Sequence, residues 1–243
     1  RRNRPSKRVL RGQRKQEFSS IPKISILVPL YKTPEEYLKK MIDSVRNQSY
    51  ENWELCLSDG SGADSPVQEI LKPYLKRDKR IHLQCNAMPL RIAENTNMAC
   101  SMATGDYLTF LDHDDLLSED ALYECVKAIN EQNGIELIYS DEDKVTMDGK
   151  EYFLPHFKPD FNMDLLRSTN YFCHLVMVKR NLYERVGNLN PDFDGAQDYD
   201  FVLRCVEKTR AEQIYHILKV LYHWRACEGS TSEDAKNKTY IIE

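Results

Sequence analysis

No apolar run in this 243-residue chain approaches the roughly 20 residues needed to span a bilayer, and no signal-peptide pattern is visible. No CxxC pair occurs either. The seven cysteines (Cys56, Cys85, Cys100, Cys125, Cys173, Cys205 and Cys227) are odd in number and scattered. That argues against a zinc ribbon or a disulfide framework, and we read them as reduced core residues of a cytosolic domain. Dinucleotide binding is disfavoured because no GxGxxG follows the first predicted strand, and the P-loop pattern is missing as well. Arg1 to Lys15 lacks any acid while carrying eight Lys/Arg. The other 26 bases then face 38 acids, so the net charge of −4 hides a body near −12. We expect residues 1–22 to be a basic arm or linker, with an anionic membrane surface as its candidate partner. The acidic body argues against nucleic acid. The chain begins at Arg1 without a Met, as expected of a piece cut from a longer protein.

What is present is alternation. Ile24 to Val28 is a β-branched, apolar run closed by Pro29. Thr33-Pro34-Glu35-Glu36 then offers an N-cap, a proline at the first helical position and a capping-box glutamate. Leu38, Met41, Ile42 and Val45 follow at helical spacing. Further strands are predicted at Trp53–Leu57, Ile81–Gln84, Tyr107–Leu111, Leu137–Tyr139, Leu175–Val178 and Ile214–Leu221. Helices are predicted from Ser65 to Leu75, Glu94 to Met102, Ser118 to Asn130, Asn181 to Val186 and Asp194 to Cys205. Strands separated by helical patterns of this length imply βαβ units and a mostly parallel sheet, with one sizeable core for a chain that is 41% hydrophobic. Ligands of such sheets sit beyond the carboxyl ends of the strands.

Polar clusters fall at those ends: Pro29-Leu30-Tyr31, Ser58-Asp59-Gly60-Ser61, Asp112-His113-Asp114-Asp115 and Ser140-Asp141-Glu142-Asp143. The third is the most informative. Three carboxylates directly after a buried strand repel one another and are costly to desolvate, and a magnesium or manganese ion is their usual compensator. The plainer reading, a cap for the next helix, needs one carboxylate and not three. His174 and Trp224 read as ordinary buried residues.

The succession ISILVPLYKTPEEYLKKMIDSVRNQSYENWELCLSDGS, GDYLTFLDHDD and GAQDYDFVLR resembles the family 2 glycosyltransferases of the GT-A fold, over about Lys23 to Ser232. YSDEDK, FKPDFN and LYHWR are most similar to the bacterial branch that builds surface polysaccharides. The resemblance implies a Rossmann-like sheet flanked by helices in one domain, residues 23–243. Residues 23–117 would form the donor half, and residues 118–243 a smaller acceptor half with a C-terminal lid at Cys227 to Glu233. It implies an inverting, metal-dependent transfer from a UDP- or dTDP-sugar to a hydroxyl of a growing glycan or lipid-linked saccharide, on the cytoplasmic side of the envelope. Mn2+ or Mg2+ would be held by Asp112, Asp114 and His223, with Asp115 behind them. Asp59 would meet the nucleobase, with Pro29 and Tyr31 lining the same pocket, and Arg91 and Arg225 would join Asp112 in holding the donor. Asp198 would be the general base, with Asp200 and Asp141 next in line.

Ser58 and Gln197 depart from the family's usual aspartate and glutamate. They give some footing to a competing reading as a non-catalytic nucleotide- or glycan-binding module. A nucleotidyltransferase would want a Gly- and Lys/Arg-rich loop after the first strand, and Pro29-Leu30-Tyr31-Lys32 is not one. The His113-Asp114 pair lacks the further histidines of a metal phosphohydrolase.

Overall fold

The computed structural model describes residues 4–226. A short helix α1 (Lys7–Gln13) opens it. The βα alternation follows in order: β1 (Ile24–Leu30), α2 (Glu35–Arg46), β2 (Trp53–Asp59), α3 (Val67–Arg77), β3 (Ile81–Cys85), α4 (Ile92–Met102) and β4 (Tyr107–Phe110). The second half holds β5 (Leu116–Leu117), α5 (Ala121–Glu131), β6 (Leu137–Val145), β7 (Tyr152–His156), α6 (Met163–Ser168), β8 (Val176–Lys179), α7 (Arg180–Val186), α8 (Gln197–Glu207) and β9 (Ile214–Arg225).

Every residue of β1 and β2 is buried, as expected of strands covered on both faces. Their side chains alternate between two cores. Ile24, Ile26, Val28 and Leu30 join Leu38, Met41, Ile42 and Val45 of α2 on one side, while Leu27 joins Ala99, Phe201 and Val202 on the other. The strand order is β3-β2-β1-β4-β8-β6-β9-β5, with β7 added beside β6. Strands β1 to β4 pair in parallel, as do β6 and β9, while β8, β7 and β5 run against their neighbours. The sheet is thus mostly parallel, and inserting β8 between β4 and β6 divides it into two parallel blocks of one sense.

Gly105 sits where two chain segments cross. A Cβ there would lie 2.6 Å from the Lys23 carbonyl, so only glycine lets the two chains cross. At the start of α2 the cap position is Pro34, not Thr33, whose buried hydroxyl has no partner. The segment expected as an arm or linker lies, from Arg4 on, against the body. Leu10 is buried, Arg4 stacks over the Tyr152 ring, and Phe18 packs on Tyr50 and Tyr123.

Two strands outrun their sequence-based limits. β6 continues through Ser140–Asp143, so that acidic cluster is part of a ladder and does not lie beyond a strand end. The extension survives because each acid has a partner: Asp141 meets His216 at 2.9 Å, Glu142 meets Lys158 at 3.0 Å and Asp143 meets His223 at 2.5 Å. β9 likewise runs on through Tyr222 to Arg225.

Candidate active site

A cleft of about 930 Å³ opens at the C-terminal ends of β1 and β4, walled by the start of α4 and the start of α8. Six of the nine residues singled out from sequence line it: Pro29, Tyr31, Arg91, Asp112, Asp114 and Asp198. Asp59, His223 and Arg225 do not.

Asp112 and Asp114 follow β4, where Asp115 turns inward. Asp115 accepts the Arg225 N–H at 2.7 Å and the Tyr222 hydroxyl at 2.7 Å, and the same hydroxyl oxygen accepts the Asp112 N–H at 3.2 Å. This clamp fixes the loop and leaves the other two carboxylates facing the cleft. Among the described residues, the Asp112 and Asp114 side chains accept no hydrogen bond. Asp112 shows 45% of its side chain to the cleft, at a depth where desolvation still raises its pKa. His174 opposes that rise and Asp114 adds to it. Burial, then Asp114 and Asp112, push Asp115 up further. Two oxygen donors two residues apart, uncompensated and facing one cleft, fit a hard divalent cation such as Mg2+ or Mn2+.

Asp59 ends β2 with its side chain buried. Oδ1 accepts the Ser61 N–H at 3.0 Å, and Oδ2 is buried without a partner. Such an oxygen is costly to leave unpaired, and it suits a donor edge such as that of a nucleobase. Ser58 is committed to the frame: its hydroxyl donates to Asn95 Oδ1 at 2.7 Å, and Asn95 reaches back to the Leu30 carbonyl at 2.9 Å.

On β9 the period of two decides which side chains reach the cleft. Trp224 lines it, and Tyr222, on the same face, is buried behind the wall with its ring stacked on His174. His223 and Arg225 point away, the reverse of the sequence-based expectation. The His223 ring sits between Asp143 and the edge of Tyr152. Arg225 is only 2% exposed, with its guanidinium on the carbonyls of Asp114, Thr146 and Met147 and over the Tyr37 ring. Neither is brought together with the Asp112 and Asp114 carboxylates as a ligand to a shared cation would be.

The imidazole that does stand there is His174, with Nε2 at 3.9 Å from Asp112 Oδ2. Its backbone is pinned: the N–H donates to Glu142 Oε2 at 2.6 Å and the carbonyl accepts from Lys158 Nζ at 2.6 Å. Lys158 also donates to the Phe172 carbonyl and to Glu142, both at 3.0 Å, and Glu142 takes the Trp224 indole N–H at 3.2 Å. Burial lowers the Lys158 pKa while Glu142 opposes the change. Thus YSDEDK, FKPDFN and LYHWR meet in one buried cluster that supports the wall of the cleft. The sequence offered a signal in FKPDFN, a charged residue fixed between aromatic and proline, but nothing local told which carbonyls it would hold.

Asp198 lies in the first turn of α8, where an acid is favoured by the helix dipole, and Asn170 Nδ2 donates to its Oδ2 at 3.1 Å. Gln197 Oε1 accepts the Gly195 N–H at 2.7 Å, so this substitution too serves the frame. The reserve candidates are occupied: Asp200 pairs with Arg204 at 2.6 Å, and Asp141 with His216. The expected lid at Cys227 to Glu233 lies outside the described residues.

Known proteins are similar to this chain, some in sequence and others in architecture. An uncharacterized protein, y4gI, of Sinorhizobium fredii is 43% identical over 91% of this chain, and the O-antigen biosynthesis protein RfbC of Myxococcus xanthus is 36% identical over 90%. This chain spans 24% and 17% of their respective lengths, less than a quarter. Among solved structures, S. aureus TarS 1-349 in complex with UDP superposes with a TM-score of 0.68 at 15% identity, over 85% of this chain and 61% of that one. The mannosyltransferase PcManGT of Pyrobaculum calidifontis, in complex with GDP-Man and Mn2+, gives 0.60 at 16% identity, over 86% and 62%. The sheet is therefore that of the GT-A fold. The model of the glycosyl transferase family 2 matches residues 25–187, two thirds of the chain, and the chain belongs to that family.

Proposed function

We propose that this chain is the catalytic domain of an inverting glycosyltransferase that moves a sugar from a UDP- or dTDP-sugar to a hydroxyl of a growing surface glycan or lipid-linked saccharide. The observation that carries the reading is the meeting of Asp112, Asp114 and Asp198 in one cleft, two carboxylates after β4 free for a cation and a third at the start of α8. Asp112 and Asp114 would hold Mn2+ or Mg2+, which would supply positive charge to offset that of the leaving diphosphate. Asp59, through its unpaired Oδ2, receives the base, and Tyr31 lines the donor side. Arg91 is the one arginine or lysine among the described lining residues, which suits it to the diphosphate. Asp198 takes the proton of the acceptor hydroxyl as its oxygen attacks the anomeric carbon, and the nucleoside diphosphate departs from the opposite face. Asn170 orients that carboxylate. The surface-glycan acceptor is supported by relatives such as the O-antigen biosynthesis protein.

The test is thermal shift and sugar-nucleotide turnover with UDP- and dTDP-sugars, with and without Mn2+. A metal-dependent shift together with release of nucleoside diphosphate is expected. Nucleotide binding with no transfer to any glycan of a broad panel would favour the non-catalytic module instead.

A further inference from the structure

The cleft also brings together a second set of side chains of metal-ligating type, of different chemistry from Asp112 and Asp114. Cys173, His174 and Asp198 each present a donor atom, and these atoms lie within 4.8 Å of one another. Donors around one tetrahedral zinc-like ion stand about 3.3–3.8 Å apart, given bonds of about 2.0–2.3 Å. Small side-chain rotations therefore close the set. A thiol, an imidazole and a carboxylate suit a borderline-soft cation, whereas the neighbouring all-oxygen pair, whose Asp112 lies 3.9 Å from His174 Nε2, suits magnesium or manganese.

His174 supplies the independent sign of a ligand. It is 7% exposed, and its Nδ1 is buried with no hydrogen-bond partner. Buried ring nitrogens are normally satisfied, and an unmet one has a free-energy cost that a metal bond removes. The ring is held for that purpose: it stacks on Tyr222 at 4.9 Å and leans on Trp224 at 5.3 Å, while Glu142 and Lys158 fix its backbone. Cys173 is a buried free thiol beside it. Asp198 gives one oxygen to Asn170, which orients the carboxylate as a supporting hydrogen bond does at metal sites.

We propose that Cys173, His174 and Asp198 form a site for a thiophilic divalent cation of the zinc class, separate from the donor's metal. On binding, the Cys173 S–H bond breaks, its proton passes to solvent, and a sulfur–metal bond replaces a metal–water bond; nothing is oxidised or reduced. A bound ion occupies the carboxylate that, on the proposed function, must accept the acceptor's proton. Zinc then becomes an inhibitor competing with the acceptor and not with the nucleotide. That consequence, unlike the site itself, rests on the proposed role of Asp198.

The experiment uses the full chain with the exposed Cys85 removed as Cys85→Ser, with Cys227, which lies outside the described residues, removed as Cys227→Ser, and with Co2+ as a coloured stand-in for Zn2+. A thiolate-to-cobalt charge-transfer band should appear and be displaced by zinc. It should be lost in Cys173→Ser, weakened at least 10-fold in affinity in His174→Ala, and retained in Asp114→Asn. No band, or an undiminished band in Cys173→Ser, overturns the site. Should Cys173→Ser fail to fold, the unaltered thiol is followed directly: zinc must slow alkylation of Cys173, and unchanged alkylation likewise overturns it. Transfer assays with saturating Mn2+ separate the two readings. Zinc that binds by these criteria yet leaves transfer untouched upholds the site and removes Asp198 from the role of base.

Discussion

The Lys158 ammonium has no exposed surface and sits 3.0 Å from Glu142 Oε2. A lysine so placed gives up its hydration for one carboxylate and two carbonyls, and those carbonyls belong to the wall that carries Cys173 and His174. Lys158→Met removes the cation and leaves Glu142 buried against the Trp224 indole and the His174 N–H. Breaking a buried pair from one side costs about 3–5 kcal/mol. Denaturant unfolding of Lys158→Met against the parent should show a loss in that range, and a loss below about 1 kcal/mol would mean the wall does not depend on this pair.

A second charged residue carries the pH dependence of stability. Burial pushes the Glu54 carboxyl up, but hydrogen bonds from Lys23, Ser25 and Thr104 outweigh it and hold the pKa down at about 2. The unfolded value is about 4.3. A folded pKa below the unfolded one gives stability that is present above the unfolded value and is lost as pH falls through the folded one. Glu54→Gln should therefore be less stable than the parent at neutral pH, by on the order of 3 kcal/mol. The gap should narrow as pH drops from about 4.5 toward 2. A gap that stays constant over that range contradicts the assignment.

The basic segment gives a third test. Lys7, Arg8 and Arg11 are exposed on α1 while Leu10 is buried, so one face of this turn anchors it and the other presents charge. Charges near an anionic lipid surface are worth about 1 kcal/mol each and are screened within a Debye length. Replacing Arg8 and Arg11 by Gln should weaken binding to phosphatidylserine vesicles by roughly 30-fold at low salt. Leu10→Ala should act on stability instead. Equal vesicle binding by parent and double variant would leave α1 only its packing role.

The elements were legible because their periods are strong. The all-apolar β1 and the spacing of Leu38, Met41, Ile42 and Val45 needed only the rule that a chain must bury one face. The carboxylates after β4 were legible for the opposite reason, a local violation of that rule. What escaped was long-range. Whether His223 or His174 faces the cleft depends on how far β9 extends and in which phase, and that is set by pairing with β6 and β5, up to about a hundred residues away in sequence. Lys158 escaped for the same reason, since its partners Glu142 and His174 come from two other segments.

The last prediction separates binding from chemistry. Asp198 stands at the start of α8, touches Asn170 and lines the same cleft as the acids that follow β4. Asp198→Asn keeps the shape and a polar residue at the helix start, but an amide does not take a proton at neutral pH. Loss of a general base typically costs ~10²–10⁴-fold in rate. Affinity for the donor, read by calorimetry with Mn2+, should therefore stay near that of the parent while transfer falls by that factor. Asp114→Asn should behave differently, because on the proposed function its carboxylate holds the donor's metal, and it lacks a hydrogen-bond donor that would make it structural. There both metal-dependent donor affinity and transfer should fall together, and the metal-independent part of nucleotide binding, through Asp59, should persist. The contrast is needed in full. Near-parental transfer by Asp198→Asn would place the base elsewhere, and since Asp200 is tied to Arg204 and Asp141 to His216, it would point away from the described carboxylates held in ion pairs. Unchanged Mn2+ dependence in Asp114→Asn would remove the cation from the loop after β4.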